Sequence, residues 1–171
     1  MSDDVGTTKR KPLTIEDLRR HLTYDEWSGQ FTRALSLNRH KKGEVAGKKD
    51  TNGHIQIFVN GRYYLAHRCA WLWSYGVWPD HDIDHINGDR SDNRLANLRK
   101  ATRSQNCSNS KLRADNNIGL KGVSIQKGRY RAQIQVKGKK QFLGMFSTPE
   151  EAHEAYCKAA QSLHGEFART A

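Results

Sequence analysis

"IDHINGDRSDNRLANLRKATRSQN" runs from Ile83 to Asn106. From Asp82 to Ile86 the chain alternates as a half-buried strand does, with Asp84 and Ile86 on one face and Ile83 and His85 on the other. Asn87-Gly88-Asp89 is a turn signal, because Gly takes positive φ without strain and Asn and Asp side chains bond their own backbone. Asp92 or Asn93 can cap the short turn that follows. Thr102 can cap a helix with Gln105 as its partner three residues on, which puts Asn106 in the first turns. A strand end carrying Asp84 and His85, a loop carrying Asn97 and a helix carrying Asn106 can then converge on one spot.

Those residue types suit hydrolysis of a phosphodiester. An imidazole takes a proton from water near neutral pH. A carboxylate and an amide oxygen form a hard-oxygen pair suited to Mg²⁺ or Mn²⁺, and a second Asn can accept from the other ring nitrogen and fix the tautomer. An Asp-His pair alone is commonly an exposed turn. The combination with Gly88, Asn93, Asn97 and Asn106 at these intervals is far more specific. Asn93 reads as a cap or loop anchor rather than a ligand.

Upstream, "HIQIFVNGRYYLAHR" reads as a hairpin, with alternation over 54–59, a two-residue turn at Asn60-Gly61, and a return through Tyr63-Tyr64-Leu65. "AHRCAWLWSYGVWP" follows as a short apolar helix ended by Gly76, its Trp71, Trp73 and Trp78 filling a core. Arg68 on it can touch a phosphate, and His67 can simply be packed. Nearer the start, Leu13, Asp17, Leu18, His21 and Leu22 give a helical pattern with Thr14 as cap, broken by Gly29. Met1 to Pro12 carries no periodicity and reads as a disordered tail. His40, His54 and His81 read as surface residues.

Downstream, Asn, Ser, Lys and Gly replace apolar periodicity over 109–118, which reads as a linker. "GVSIQKGRYRAQIQVKGKKQFLGMF" then gives three short strands turning at Lys127-Gly128 and Lys137-Gly138. "STPEEAHEAYCKAAQSLHG" gives a helix: Thr148 caps it, Pro149 takes its first position, Glu151 completes a capping box and Gly165 stops it. Ala152, Ala155, Tyr156, Ala159 and Leu163 form its apolar stripe. In the middle strand Tyr130, Ala132, Ile134 and Val136 alternate with Arg129, Arg131, Gln133 and Gln135, so the second set faces outward, near Lys121, Lys127, Lys139 and Lys140. Arg pairs with guanine and Gln with adenine in the major groove, and Lys holds phosphates. An ordinary solvated sheet face would look similar, and the charge decides between them: nine basic residues against one acidic residue from Lys111 to Lys140.

The totals agree. The chain has 171 residues and a formal charge of +11, with 29 Lys and Arg against 18 Asp and Glu, which favours a polyanion as partner. No apolar run is long enough for a bilayer span or a signal peptide, and neither a basic amphipathic helix nor a lipidation signal is present. The expected place of action is the cytoplasm of a bacterium or a phage-infected cell. Three scattered cysteines make neither a CxxC pair nor a disulfide framework, so no disulfide-linked partner is expected.

The segment from "AHRCAWLWSYGVWP" through "IDHINGDRSDNRLANLRKATRSQN" resembles the HNH nucleases in the DH…N…N form of homing and phage endonucleases. The resemblance implies a ββα-metal fold, His85 as general base, Asp84 and Asn106 as metal ligands, and Asn97 orienting His85. It also implies 5′-phosphate and 3′-hydroxyl products. Many HNH proteins carry His where Asn106 stands here, which favours Mg²⁺ or Mn²⁺ over zinc. The stretch from "KGVSIQKGRYRAQIQV" to "LHGEFA" resembles the AP2/ERF DNA-binding domain, although Ser124 and Tyr130 replace an Arg and a Trp of the plant factors. The resemblance implies that the sheet docks in the major groove of double-stranded DNA.

Together these readings predict an α+β protein. Residues 1–12 form a tail, 13–108 a metal-dependent DNA endonuclease domain, 109–118 a linker and 119–171 a three-stranded antiparallel sheet on one helix that targets DNA. The alternative is a non-catalytic transcription regulator with a vestigial nuclease fold. Oligomeric state, target sequence, and nick versus double-strand cut stay open.

Overall fold

Thr14 accepts the Asp17 N–H at 3.2 Å and opens α1, Ile15–His21, whose Leu18 is fully buried. The computed structural model describes residues 12–37, 40–110, 112 and 116–170. The tail expected at 1–12 thus falls almost wholly outside the described residues, as do Lys111 and Arg113–Asp115 of the expected linker. By its contacts the chain divides into two compact units, Met1–Trp78 with Asn93–Leu95, and Pro79–Asp92 with Ala96–Ala171.

In the first unit, the helical pattern at Leu22 gives way to a hairpin that the sequence reading missed, β1 Leu22–Asp25 and β2 Gln30–Arg33. Asp25 turns it by accepting from the Trp27 N–H and the Ser28 hydroxyl, and Gly29 closes it at φ 72°. A Cβ at Gly29 would lie 2.3 Å from the Arg94 nitrogen, so Gly here also admits a close backbone approach. β3 Lys48–Lys49, β4 Ile55–Val59 and β5 Arg62–Leu65 form an antiparallel sheet. Asn60 at φ 49° and Gly61 at φ 78° make the expected two-residue turn between β4 and β5. α2, Ala66–Tyr75, stops at Gly76 in the left-handed region. Trp71 is buried, while Trp73 and Trp78 are half-buried, with Trp73 edge-on to Tyr24 and Phe31.

In the second unit, β6 Asp82–His85 pairs antiparallel with β7 Leu98–Ala101, and α3 Arg103–Ser108 packs against both. α3 opens on the expected capping box of Thr102 and Gln105. β8 Val123–Gln126, β9 Arg129–Val136 and β10 Lys139–Phe146 then form an antiparallel sheet with β9 central, and α4 Pro149–His164 lies across it. Lys127 and Lys137 take positive φ (51° and 48°) in the two turns. The apolar stripe of α4 differs by one position from that expected. Ala152, Tyr156 and Ala160 are buried, Ala155 and Ala159 pack beside them, and Leu163 is 44% exposed. Gly122 is required by packing, since a Cβ there would lie 2.0 Å from the Tyr156 ring.

The contacts do not part at the linker. Lys121 Nζ donates to the carbonyls of Ser108 and Ser110 at 3.1 and 2.6 Å, and the Arg99 guanidinium lies 3.7 Å over the Phe167 ring. These bonds join β7 and α3 to the C-terminal sheet and helix in a single unit.

Candidate functional site

β6 ends in three consecutive buried residues, Ile83, Asp84 and His85. The register sets Asp84 opposite Arg99 and His85 opposite Leu98, and Asn97, the last residue of a 3₁₀ turn over Leu95–Asn97, immediately precedes that partner strand. Asn106 is half-exposed on α3, the helix packed on β6. The four residues singled out by spacing therefore sit on three contiguous elements of one unit.

Asp84 is held firmly. Its Oδ2 accepts from Arg99 Nε and Nη2, both at 2.9 Å, and from the Asn109 amide at 3.0 Å, while its Oδ1 accepts from Asn109 alone at 3.0 Å. Asn109 Nδ2 also donates to the His85 carbonyl at 2.8 Å. Neither Arg99 nor Asn109 was foreseen. Asn109 reads in sequence as the first residue of a polar linker, yet it is buried one turn beyond Asn106. Arg99 carries a signal in hindsight: in an antiparallel ribbon it must face the strand that bears Asp84.

The loop after His85 is tied by amides. Asn97 Oδ1 accepts the Asn87 N–H at 3.0 Å, and Asn97 Nδ2 donates to Asn87 Oδ1 at 3.1 Å and the Asp92 carbonyl at 2.8 Å. The Ile86 N–H donates to the Asn97 carbonyl at 2.9 Å. All three bonds of the Asn97 amide thus go to the loop, so its hold on His85 runs through the backbone at Ile86. This differs from the direct ring contact expected. Asn87 Nδ2 bonds Asp92 Oδ2 at 2.8 Å, and Arg169 donates to the Asn87 carbonyl at 3.0 Å. Asn93 behaves as the anchor its sequence suggested, buried, with its carbonyl accepting the Tyr24 hydroxyl at 2.7 Å.

A divalent cation fits the chemistry of these donors. Oδ1 of Asp84 takes one hydrogen bond and keeps acceptor capacity, and the Asn106 side-chain amide oxygen is a second hard oxygen. His54, taken as a surface residue from sequence, is half-buried with its ring 5.0 Å from that of His67. The signal was present, because the Asn60-Gly61 turn sets the register and His54 and His67 lie two positions beyond the Gln56–Leu65 pair. His40 and His81 have carboxylate partners, Glu44 and Asp80, each at 3.2 Å.

On the C-terminal sheet, Ala132 and Ile134 are buried and Arg129, Arg131, Gln133 and Gln135 alternate with them, as expected. Arg129 donates to the Met145 carbonyl, Gln135 to that of Gly138, and Arg131 lies over the Phe142 ring at 5.4 Å. Lys127, Lys139 and Lys140 are exposed. Lys121 is not part of that face: it is half-buried with its ammonium on the Ser108 and Ser110 carbonyls, and burial, followed by the charge of Arg169, pulls its pKa down to about 8. Arg68, in the first unit, is half-buried with its guanidinium 5.9 Å over the Trp78 ring.

The chain is similar to several known proteins. A family model described as HNH endonuclease matches residues 64–107. Protein 3.8 of Escherichia phage T7 is 36% identical over 106 residues, covering 60% of this chain and 87% of that protein. An uncharacterized HNH endonuclease, L560, of Acanthamoeba polyphaga mimivirus is 34% identical over 86 residues, 50% of this chain and 44% of its own length. The ethylene-responsive transcription factor LEP of Arabidopsis thaliana is 40% identical over 68 residues, 37% of this chain and 32% of its own. A solved structure of the HNH homing endonuclease I-HmuI, described as showing DNA binding and cleavage, aligns over 84% of this chain and 85% of its own with a TM-score of 0.40 and 17% identity.

Proposed function

The chain belongs to one family with protein 3.8 of Escherichia phage T7 and carries an HNH endonuclease domain, and on that premise we propose that it is a metal-dependent DNA endonuclease. The observation that carries the reading is the Asp84–His85 pair, buried at the end of β6 with the helix bearing Asn106 packed on that strand. In this reading His85 takes a proton from the attacking water as the phosphodiester is cleaved. Asp84 and Asn106 would hold Mg²⁺ or Mn²⁺, which would supply neutralisation of charge at the scissile phosphate and the leaving oxygen. Asn97 fixes the loop behind His85, and Arg99 and Asn109 fix the Asp84 carboxylate. The sheet β8–β10, with Arg131, Gln133, Lys127, Lys139 and Lys140, serves as the DNA-targeting surface, in keeping with the AP2/ERF resemblance.

The test is incubation with supercoiled plasmid in Mg²⁺, Mn²⁺ or EDTA, beside His85→Ala. Relaxed circles should form only with metal and only with the unsubstituted chain. A second reading, a DNA-binding regulator without catalysis, draws on the engagement of Asp84 by Arg99 and Asn109. It would be favoured if both chains bound DNA with strong salt dependence and neither cut it.

A further inference from the structure

The electrostatics of the Asp84 carboxylate carry a consequence for how the site is loaded. Its partner Arg99 is itself enclosed, with a side chain 13% exposed, its Nη1 donating to the Glu166 carbonyl at 2.8 Å and its plane 3.7 Å over the buried Phe167 ring. A guanidinium held by three partners cannot swing away when a cation arrives. Arg99 offsets the charge of Asp84, and the exposed Glu166 carboxylate lies 3.6 Å from Arg99. Asn97, Asn106 and Asn109 are neutral, and the chain as a whole is at +11.

We propose that Arg99 is a positioning residue that keeps metal affinity low in the free protein, so that the divalent cation is taken up together with DNA, whose phosphates supply the missing negative charge. The inference rests on the nuclease reading above and adds the order of assembly. Two effects of the pairing act in one direction. The guanidinium occupies Oδ2, so Oδ1, which takes only the Asn109 hydrogen bond, is the oxygen with capacity for a metal, and the guanidinium charge would oppose a divalent ion nearby in a partly desolvated site, where Coulomb terms are large. Small hard cations complete their shells with substrate phosphate, which fits a site that supplies little charge of its own.

The experiment is a Mn²⁺ titration followed by the electron paramagnetic resonance signal of the free ion. It compares the protein alone with the protein on a short DNA duplex, after subtraction of ion bound by duplex alone. His85→Ala is the parent background of every arm, to prevent cutting. DNA should tighten Mn²⁺ binding by at least about tenfold. Arg99→Met should tighten it by about tenfold without DNA and flatten the gain from DNA, whereas Arg99→Lys, which keeps the charge, should stay as weak as the parent. The proposal is overturned if the parent protein binds Mn²⁺ equally well with and without DNA, a comparison that needs no folded Arg99 variant. It is also overturned if a folded Arg99→Met binds no tighter than the parent. If Asp84→Asn binds Mn²⁺ on DNA as the parent does, the metal-site reading beneath the proposal fails instead, and plasmid nicking reports on that reading independently.

Discussion

Asn109 shows how a single amide can bind a site together. It donates at 2.8 to 3.0 Å to both oxygens of Asp84 and to the His85 carbonyl, so it fixes the backbone of one proposed functional residue and the side chain of its neighbour. Buried hydrogen bonds to charged groups are among the more valuable ones, so Asn109→Ala should cost about 1–3 kcal/mol of stability. Nicking should fall with it, because Asp84 keeps only Arg99 as a hold. A thermal melt unchanged by the substitution would show that water replaces the amide without loss. The residue was not legible beforehand because burial of a polar side chain depends on what closes over it, and "NCSNSK" looks solvated in isolation. By contrast the positions of Asp84, His85, Asn97 and Asn106 in the fold are legible because each falls where local rules place an element: a strand end, a turn and a capped helix.

At the scale of elements, the best-read pieces were those with their own punctuation. The Asn60-Gly61 hairpin, α2 with Gly76, and α4 between its Thr148 capping box and Gly165 stand where their residues indicate. The β1–β2 hairpin did not, because Leu22 continues the apolar spacing of α1 while serving as the first residue of a strand, and nothing local decides between the two. Lys121 illustrates the same limit. It looked like a phosphate contact beside basic neighbours, and instead it caps the carbonyl end of α3 from the start of the C-terminal sheet. Burial holds its folded pKa near 8 against an ordinary 10.5. Between those values the unfolded chain binds more protons than the folded one, so the contribution of Lys121 to stability rises as pH increases from about 8 to 10.5. Cys69, with its thiol pushed up to about 12 by burial, acts in the opposite sense at higher pH but equally in any Lys121 variant. Denaturant unfolding of the parent and Lys121→Met should therefore show the difference moving in favour of the parent across that range. A difference independent of pH would mean that the ammonium is solvated.

For the molecule as a whole, the governing quantity is charge: +11 overall, with nine basic residues against one acidic residue between Lys111 and Lys140. Composition points to a polyanion, and the chain shares a family with a phage protein and matches an HNH endonuclease model over residues 64–107, but composition cannot say which cations remain available. The structure sorts them. Lys121 is enclosed, Arg129 donates to a carbonyl, Arg131 lies over Phe142, and Lys127, Lys139 and Lys140 project freely from the turns and edge of the sheet. Each lysine that neutralises a phosphate releases counterion, at about 0.9 in the slope of log affinity against log salt. Replacing Lys127, Lys139 and Lys140 with Gln should therefore flatten that slope by about 2 to 3 and weaken binding to every duplex alike. Arg131→Ala and Gln133→Ala should leave the slope changed by about 1 at most and alter the ranking of duplexes, because base-edge contacts discriminate where phosphate contacts do not. Filter binding across a salt series on several unrelated duplexes measures both quantities at once. If the triple lysine variant kept the parent slope, DNA would be held by another surface, and the C-terminal sheet would lose its assigned role while the Asp84–His85 site kept its own.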